Sequence, residues 1–441
     1  MSLAAWLVAA WALARPSSLP RFATLAAVWV GADLLSQPFV PNHVFLTLFV
    51  NLTFLVAMAE AAWRRRRSGA AEGLETSTFA VFAPLARLEF LTLYAWAALH
   101  KLNRGYLDPA TSCGWRLYRE IAERLPLLPA GESWSRPVIG ASLLIEAALP
   151  VLLLFRRTRV AAILGGVAFH LLLSVHTDWL LDSFGSAALA LLTLFVPPST
   201  LRAAAAALAR LGEPVRKVAR SIRSVTLLAA AGLALWVGVD RDPAVAGAVA
   251  SAARVAWFAW AALAALALVA GLAGARSRER RAESSRGAAP EESARALLLP
   301  PRLGLAALLP AAVLLNGASP YLGLKTETSF SMFSNLRTEA GEENHLFLPR
   351  LDWFELQDDV VEIGASSAPE LARFAGTGER LVWFEVRRAL DRRRDEGVRV
   401  TYRRDGRSFE ASSAEPLPFL LDRTLVFRPL PPAGAPSSCR H

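Results

Sequence analysis

The chain has 441 residues, 54% of them hydrophobic and 20% charged, with a mean hydropathy of +0.34. That balance excludes an ordinary soluble domain and points to an integral membrane protein. Two cysteines exclude a disulfide scaffold or a paired-cysteine zinc site, and six histidines without a close pair leave no metal signature. The net charge of +10 is uneven: residues 316–441 hold 17 Lys/Arg against 19 Asp/Glu, so the basic excess lies among the apolar runs before them. That is loop bias in a membrane protein, and no nucleic-acid partner is expected.

Apolar runs occur at roughly 2–14, 21–37, 43–63, 79–99, 137–155, 160–177, 181–197, 225–239, 251–274 and 297–315. They predict an α-helical polytopic membrane bundle of about ten spans over residues 1–315, against lipid on its outer face. The first run lacks the basic flank of a cleaved signal peptide. Basic clusters at Arg64–Arg67, at Arg156, Arg157 and Arg159, at 199–224 and at 276–295 all fall on one side if every run crosses once. That side is expected to be cytoplasmic. The loops at 38–42, 100–136, 178–180 and 240–250 then face outward, with everything after residue 316.

Within the loop after the fourth run, Tyr118, Ile121, Ala122 and Leu125 recur at helical spacing, predicting a short amphipathic surface helix over Trp115–Leu125. Residues 276–295 are rich in Arg, Glu and Ser without apolar period, as in a cytoplasmic linker. Residues 316–441 read as a small extracytoplasmic α+β domain. Strands are expected at His345–Leu348, Trp353–Leu356, Val360–Ile363, Val398–Arg403 and Thr424–Phe427. A helix is expected over Leu381–Arg394, and a hairpin turn at Asp405-Gly406.

Ionisable groups inside spans are expensive, about 2.5–3.5 kcal/mol each on insertion scales, so each is a functional candidate. Here they are Arg87, Glu89, Glu146 and His170, with Lys101 at the outer end of the fourth run. Only Lys101, Lys217 and Lys325 are lysines, so 45 of the 48 basic residues are arginine. An amine can lose its proton and act as a base, whereas a guanidinium cannot. Lys101 is therefore the candidate catalytic base. The plainer alternative is a lysine that snorkels at the interface. Arg87, Tyr94 and Lys101 are seven apart and share a helix face. Glu146 is expected to pair with an arginine or accept hydrogen bonds. His170, with Ser174 one turn on, is either catalytic or a packing residue. Cys113 and Cys439 both fall outside, where they can pair or stay free.

Three stretches carry a resemblance. Leu93–Tyr118 reads LYAWAALHKLNRGYLDPATSCGWRLY, Val167–Phe195 reads VAFHLLLSVHTDWLLDSFGSAALALLTLF, and Ser319–Phe347 reads SPYLGLKTETSFSMFSNLRTEAGEENHLF. Together they resemble the HTTM (horizontally transferred transmembrane) family, relatives of the vitamin K-dependent γ-carboxylase. The resemblance implies a base at Lys101, in the His-Lys-Leu-Asn setting. It implies reduced naphthoquinone of the vitamin K or menaquinone type, with O2 and CO2 as co-reactants and no metal. It also implies quinone epoxidation coupled to carboxylation of Glu in an extracytoplasmic protein substrate, a lyase-type activity. His170 is carried as a second catalytic candidate, with Tyr94, His100 and Asn103 as substrate-binding candidates.

Two differences stand out. The carboxylases have a lysine where His100 stands, and their outer domain is far larger. The heavy Arg and Ala usage suggests a bacterial chain, hence the cytoplasmic (inner) membrane and a menaquinone-like quinone. A non-enzymatic scaffold or receptor presenting residues 316–441 is the alternative. The enzyme reading expects a ring-sized apolar pocket beside Lys101. The alternative expects Lys101 at the lipid edge or in a salt bridge.

Overall fold

A computed structural model describes residues 3–15, 17–68, 73–176, 179–197, 200, 201, 206, 255, 257–267, 269–271, 297–435 and 439. Most of them are helical. In chain order come α1 (Leu3–Ala14), α2 (Leu19–Ser36), α3 (Asn42–Ser68), α4 (Leu74–His100), α5 (Arg104–Leu107), α6 (Cys113–Ala122), α7 (Ser135–Leu154), α8 (Arg156–Leu173) and α9 (Trp179–Thr193). After residue 297 follow α10 (Leu308–Ala318), β1 (Val360–Ser366), α11 (Pro369–Ala372), β2 (Arg380–Val382), α12 (Trp383–Arg392), β3 (Val400–Arg404), β4 (Arg407–Ala411) and α13 (Phe419–Thr424).

Three helices among the described residues are long and apolar enough to cross a membrane: Asn42–Arg67, Leu74–His100 and Glu132–Leu154. The expectation of about ten spans is not supported at this level. The 12 residues of α1 and 15 of α9 reach only ~18–23 Å against a ~30 Å core. The first turn of α8 carries Arg156, Arg157 and Arg159. Shorter apolar helices cover Leu181–Thr193, Trp257–Gly271 and Leu305–Ala318. The expected run at 225–239 and the linker at 276–295 lie outside the described residues.

The chain forms two compact units, and their boundary differs from the expected break at 315/316. One unit comprises residues 1–35, 46–91 and 149–310; the other comprises 36–45, 92–148 and 311–441. In the first, Ala57, Val81, Leu85 and Ala306 pack together, and the Phe54 ring meets Phe22 and Phe82 edge-on. Thr53 Oγ1 donates to Glu89 Oε1 at 2.5 Å. Arg87 donates to the carbonyls of Leu194 and Leu297.

The second unit holds a four-stranded antiparallel sheet in the order β2-β1-β3-β4. Val361, Ile363, Val400 and Tyr402 alternate onto one face and pack on Val386 and Leu390 of α12. The β3–β4 hairpin turns at Asp405-Gly406, both with positive φ (49° and 74°), as a two-residue primed turn requires. Strands were expected in three places where none forms. Of His345–Leu348, only His345 bridges, to Asn103. In Trp353–Leu356, positive φ at Asp352 and Glu355 breaks any ladder. Thr424 ends α13. The expected helix over Leu381–Arg394 begins with two residues of β2 before α12 starts.

Candidate functional site

Lys101 follows the last residue of α4. Its amide donates back to Ala98 O and that of Leu102 to Leu99 O, so the helix ends in a tightened turn. Asn103 fixes that turn. Its Nδ2 donates to His100 O (2.6 Å) and Ser334 O (2.5 Å), and its Oδ1 accepts from Tyr106 N (2.8 Å) and Asn344 Nδ2 (3.2 Å). The Asn103 amide is thus fully used in capping α5 and holding the 334–344 segment.

So positioned, the buried Lys101 amine lies 2.5 Å from Glu146 Oε2 on α7. Ser142, four residues before Glu146, shares its helix face. Ser142 Oγ is 2.7 Å from the Tyr106 hydroxyl, and Lys101 Nζ lies 5.8 Å from the Tyr106 ring centre. Burial, and then the Glu146 carboxylate, push the Tyr106 phenol above its ordinary range. Tyr106, Trp115 and Ile139 form an apolar wall here. The disulfide Cys113–Cys439 belongs to that wall and joins residues 326 apart in sequence. Of the two states left open for these cysteines, the bonded one is observed.

Of the substrate-binding candidates, Tyr94, His100 and Asn103 belong to the same unit as Lys101 and are buried. His100 Nε2 lies 3.0 Å from Gly317 O. Its ring stacks on Trp96 and faces Tyr321, and Tyr321 meets His345 edge-on. His170 belongs to the other unit, buried in α8 with the Phe184 ring edge-on at 5.0 Å. Ser174 Oγ donates to the His170 carbonyl.

Sequence reasoning missed Tyr106 and Ser142. For Ser142 the signal is a hydroxyl one helical turn before Glu146 in the same apolar run. It also missed Lys325, a buried amine that donates to Thr328 Oγ1 (3.1 Å) and sits 4.4 Å over the Phe45 ring. Burial lowers the Lys325 pKa to about 7. Lys325 lies in an irregular, largely buried segment where Thr328, Phe330, Phe333 and Asn335 all have positive φ. Such strain persists only where its surroundings over-determine it.

A groove of about 490 Å³ opens beside the N-terminal end of α6, lined by Thr111, Ser112, Trp115, Arg116, Arg119 and Glu120 among others. Neither Lys101 nor Glu146 lines it, so it is not the ring-sized apolar pocket expected beside the amine. Among the described residues no cluster of three His, Cys, Asp or Glu side chains is placed to hold a metal ion. In comparison with known proteins, the chain matches no family model, no curated protein and no solved structure.

Proposed function

We propose that this chain is an integral membrane enzyme of the γ-carboxylase type, in which Lys101 deprotonates a reduced naphthoquinone. The observation that carries the reading is the buried Lys101–Glu146 pair beside the Tyr106 and Ser142 hydroxyls. In this reading Glu146, 2.5 Å from the amine, orients Lys101 and receives the proton that the amine takes from the substrate hydroxyl. The Tyr106 and Ser142 hydroxyls, 2.7 Å apart, then orient the substrate oxygen. A bound naphthoquinol would supply the electrons by which O2 becomes a base strong enough to remove a γ-proton from Glu. Carboxylation of a protein substrate with CO2 is the second half of this reading, and epoxidation without it is the first.

The basic loops and the Cys113–Cys439 bond support a bacterial cytoplasmic membrane with residues 316–441 on the oxidising side. The seven other apolar runs of the sequence are proposed to complete a bundle of about ten crossings.

A second reading, a non-enzymatic scaffold or receptor, is favoured by the salt bridge itself, since a permanently paired lysine fixes helix packing without chemistry. Epoxide formation by the native chain, measured beside the substitution pair K101M/E146L, separates the two. The substitution pair keeps apolar volume while removing the proton relay. The enzyme reading expects folded protein that forms no quinone epoxide. The scaffold reading expects no epoxide from the native chain either.

A further inference from the structure

The second unit carries large apolar side chains on its outside. Phe347 and Trp353 are each 71% exposed, and Leu351 and Phe354 about half. In α13, Phe419 and Leu420 are 72% and 71% exposed. Large apolar groups exposed in such number mark an interaction surface. Their backbone connections say at what level they lie. Leu346 N donates to Leu102 O (2.9 Å), and His345 Nε2 lies 2.9 Å from Leu99 O, which ties this segment to the outer end of the Leu74–His100 span. Leu351 N and Asp352 N both donate to Tyr321 O, three residues beyond the end of α10. Arg423 at the end of α13 donates to Gln37 O, five residues before the Asn42–Arg67 span begins. Three separate ties therefore join the two apolar patches to the ends of three apolar helices. All three ends face the same way under the charge-derived orientation. The one cation within the 346–354 segment, Arg350, is neutralised by Asp352 and Asp358.

We propose that Phe347, Leu351, Trp353 and Phe354, with Phe419 and Leu420, form an apolar collar that sinks into the outer leaflet of the bilayer. Residues 316–441 then lie on the membrane instead of standing clear of it. Aromatic rings concentrate at this depth because one part of the ring meets lipid while the edge stays near headgroups. The occupant is lipid because the patches are fastened to the ends of spans and not to a free face of the sheet. This inference rests on the membrane reading of Asn42–Arg67, Leu74–His100 and Glu132–Leu154 and on the charge-derived orientation proposed above.

The test is nitroxide depth measurement in nanodiscs of phosphatidylcholine and phosphatidylglycerol. The native cysteines are both bonded, so single substitutions F347C, W353C and L420C introduce the only thiol. L144C, at an exposed position within the Glu132–Leu154 span, is the lipid reference, and E396C, in an exposed turn after α12, is the aqueous one. At the three collar sites, collisions with oxygen are expected to exceed those with a water-soluble nickel chelate, as at L144C and opposite to E396C. Collar labels that behave like E396C while L144C sees lipid would overturn the collar and leave the membrane reading standing. An aqueous L144C would overturn the membrane reading itself. Collar labels shielded from both reagents would place a protein there and overturn the lipid assignment. Each variant is scored only when monodisperse with the Cys113–Cys439 bond intact, and three sites guard against one that misfolds.

Discussion

Lys101 Nζ and Glu146 Oε2 stand 2.5 Å apart, joining the end of α4 to the middle of α7, with both side chains largely buried. Two charges withdrawn from water are tolerable only as a pair. Replacing either alone strands the other. K101M or E146L is expected to lower stability by about 3–5 kcal/mol, and the double variant by much less than their sum. Thermal unfolding of the four proteins in one detergent measures the coupling, and additive losses would contradict it.

Lys325 makes stability depend on pH in an unusual direction. Burial lowers its pKa from 10.5 to about 7. Between those values the unfolded chain holds a proton that the folded chain lacks, so stability rises with pH across this window and is lowest below about 7. K325M removes the penalty. Its stability advantage over the native chain is expected to be largest near pH 6 and to shrink toward pH 10. A gap that stays constant with pH would show that Lys325 is charged in the folded protein.

The Cys113–Cys439 bond closes a loop across most of the chain. The paired substitution C113S/C439S is expected to cost about 2–4 kcal/mol, the usual value of such a crosslink. Denaturing gels should show a mobility difference between reduced and unreduced native protein that the variant lacks. Identical mobility would mean that the bond is absent.

Gly317 sits where a Cβ would overlap the Trp96 indole. G317A is expected to cost about 1–3 kcal/mol by overpacking and to disturb the His100 contact at the Gly317 carbonyl. G317A/W96L should recover much of the loss. If G317A melts like the native protein, the Trp96 ring is not held against this backbone.

Much of this fold was legible in the sequence because its signals are local. The Leu/Ala-rich run ending at His100, the helical spacing around Ile121 and Ala122, and Asp405-Gly406 each determine their own conformation. What escaped depends on partners far along the chain. β4 (Arg407–Ala411) is mostly exposed, so it shows no apolar alternation and exists because β3 pairs with it. Phe347, Trp353 and Phe354 looked like strand residues, yet they face outward from a segment with positive φ at Asp352 and Glu355. At the candidate site, Lys101 stood out as a rare lysine and Glu146 as an intramembrane carboxylate. Their pairing across 45 residues, and the role of Asn103 in holding the turn, appear only in three dimensions.

The most direct test of the account is epoxide formation. Native protein in nanodiscs, supplied with reduced menaquinone and O2, is followed by mass spectrometry of the quinone product, beside K101A, K101R and E146Q. Epoxide from the native chain that K101A and K101R both abolish, and that E146Q reduces by roughly 100-fold or more as loss of proton-transfer catalysis does, is the predicted result. Well-folded native protein that forms no epoxide from either menaquinone or vitamin K hydroquinone would contradict the enzymatic role of Lys101 and leave the Lys101–Glu146 pair as a structural clasp.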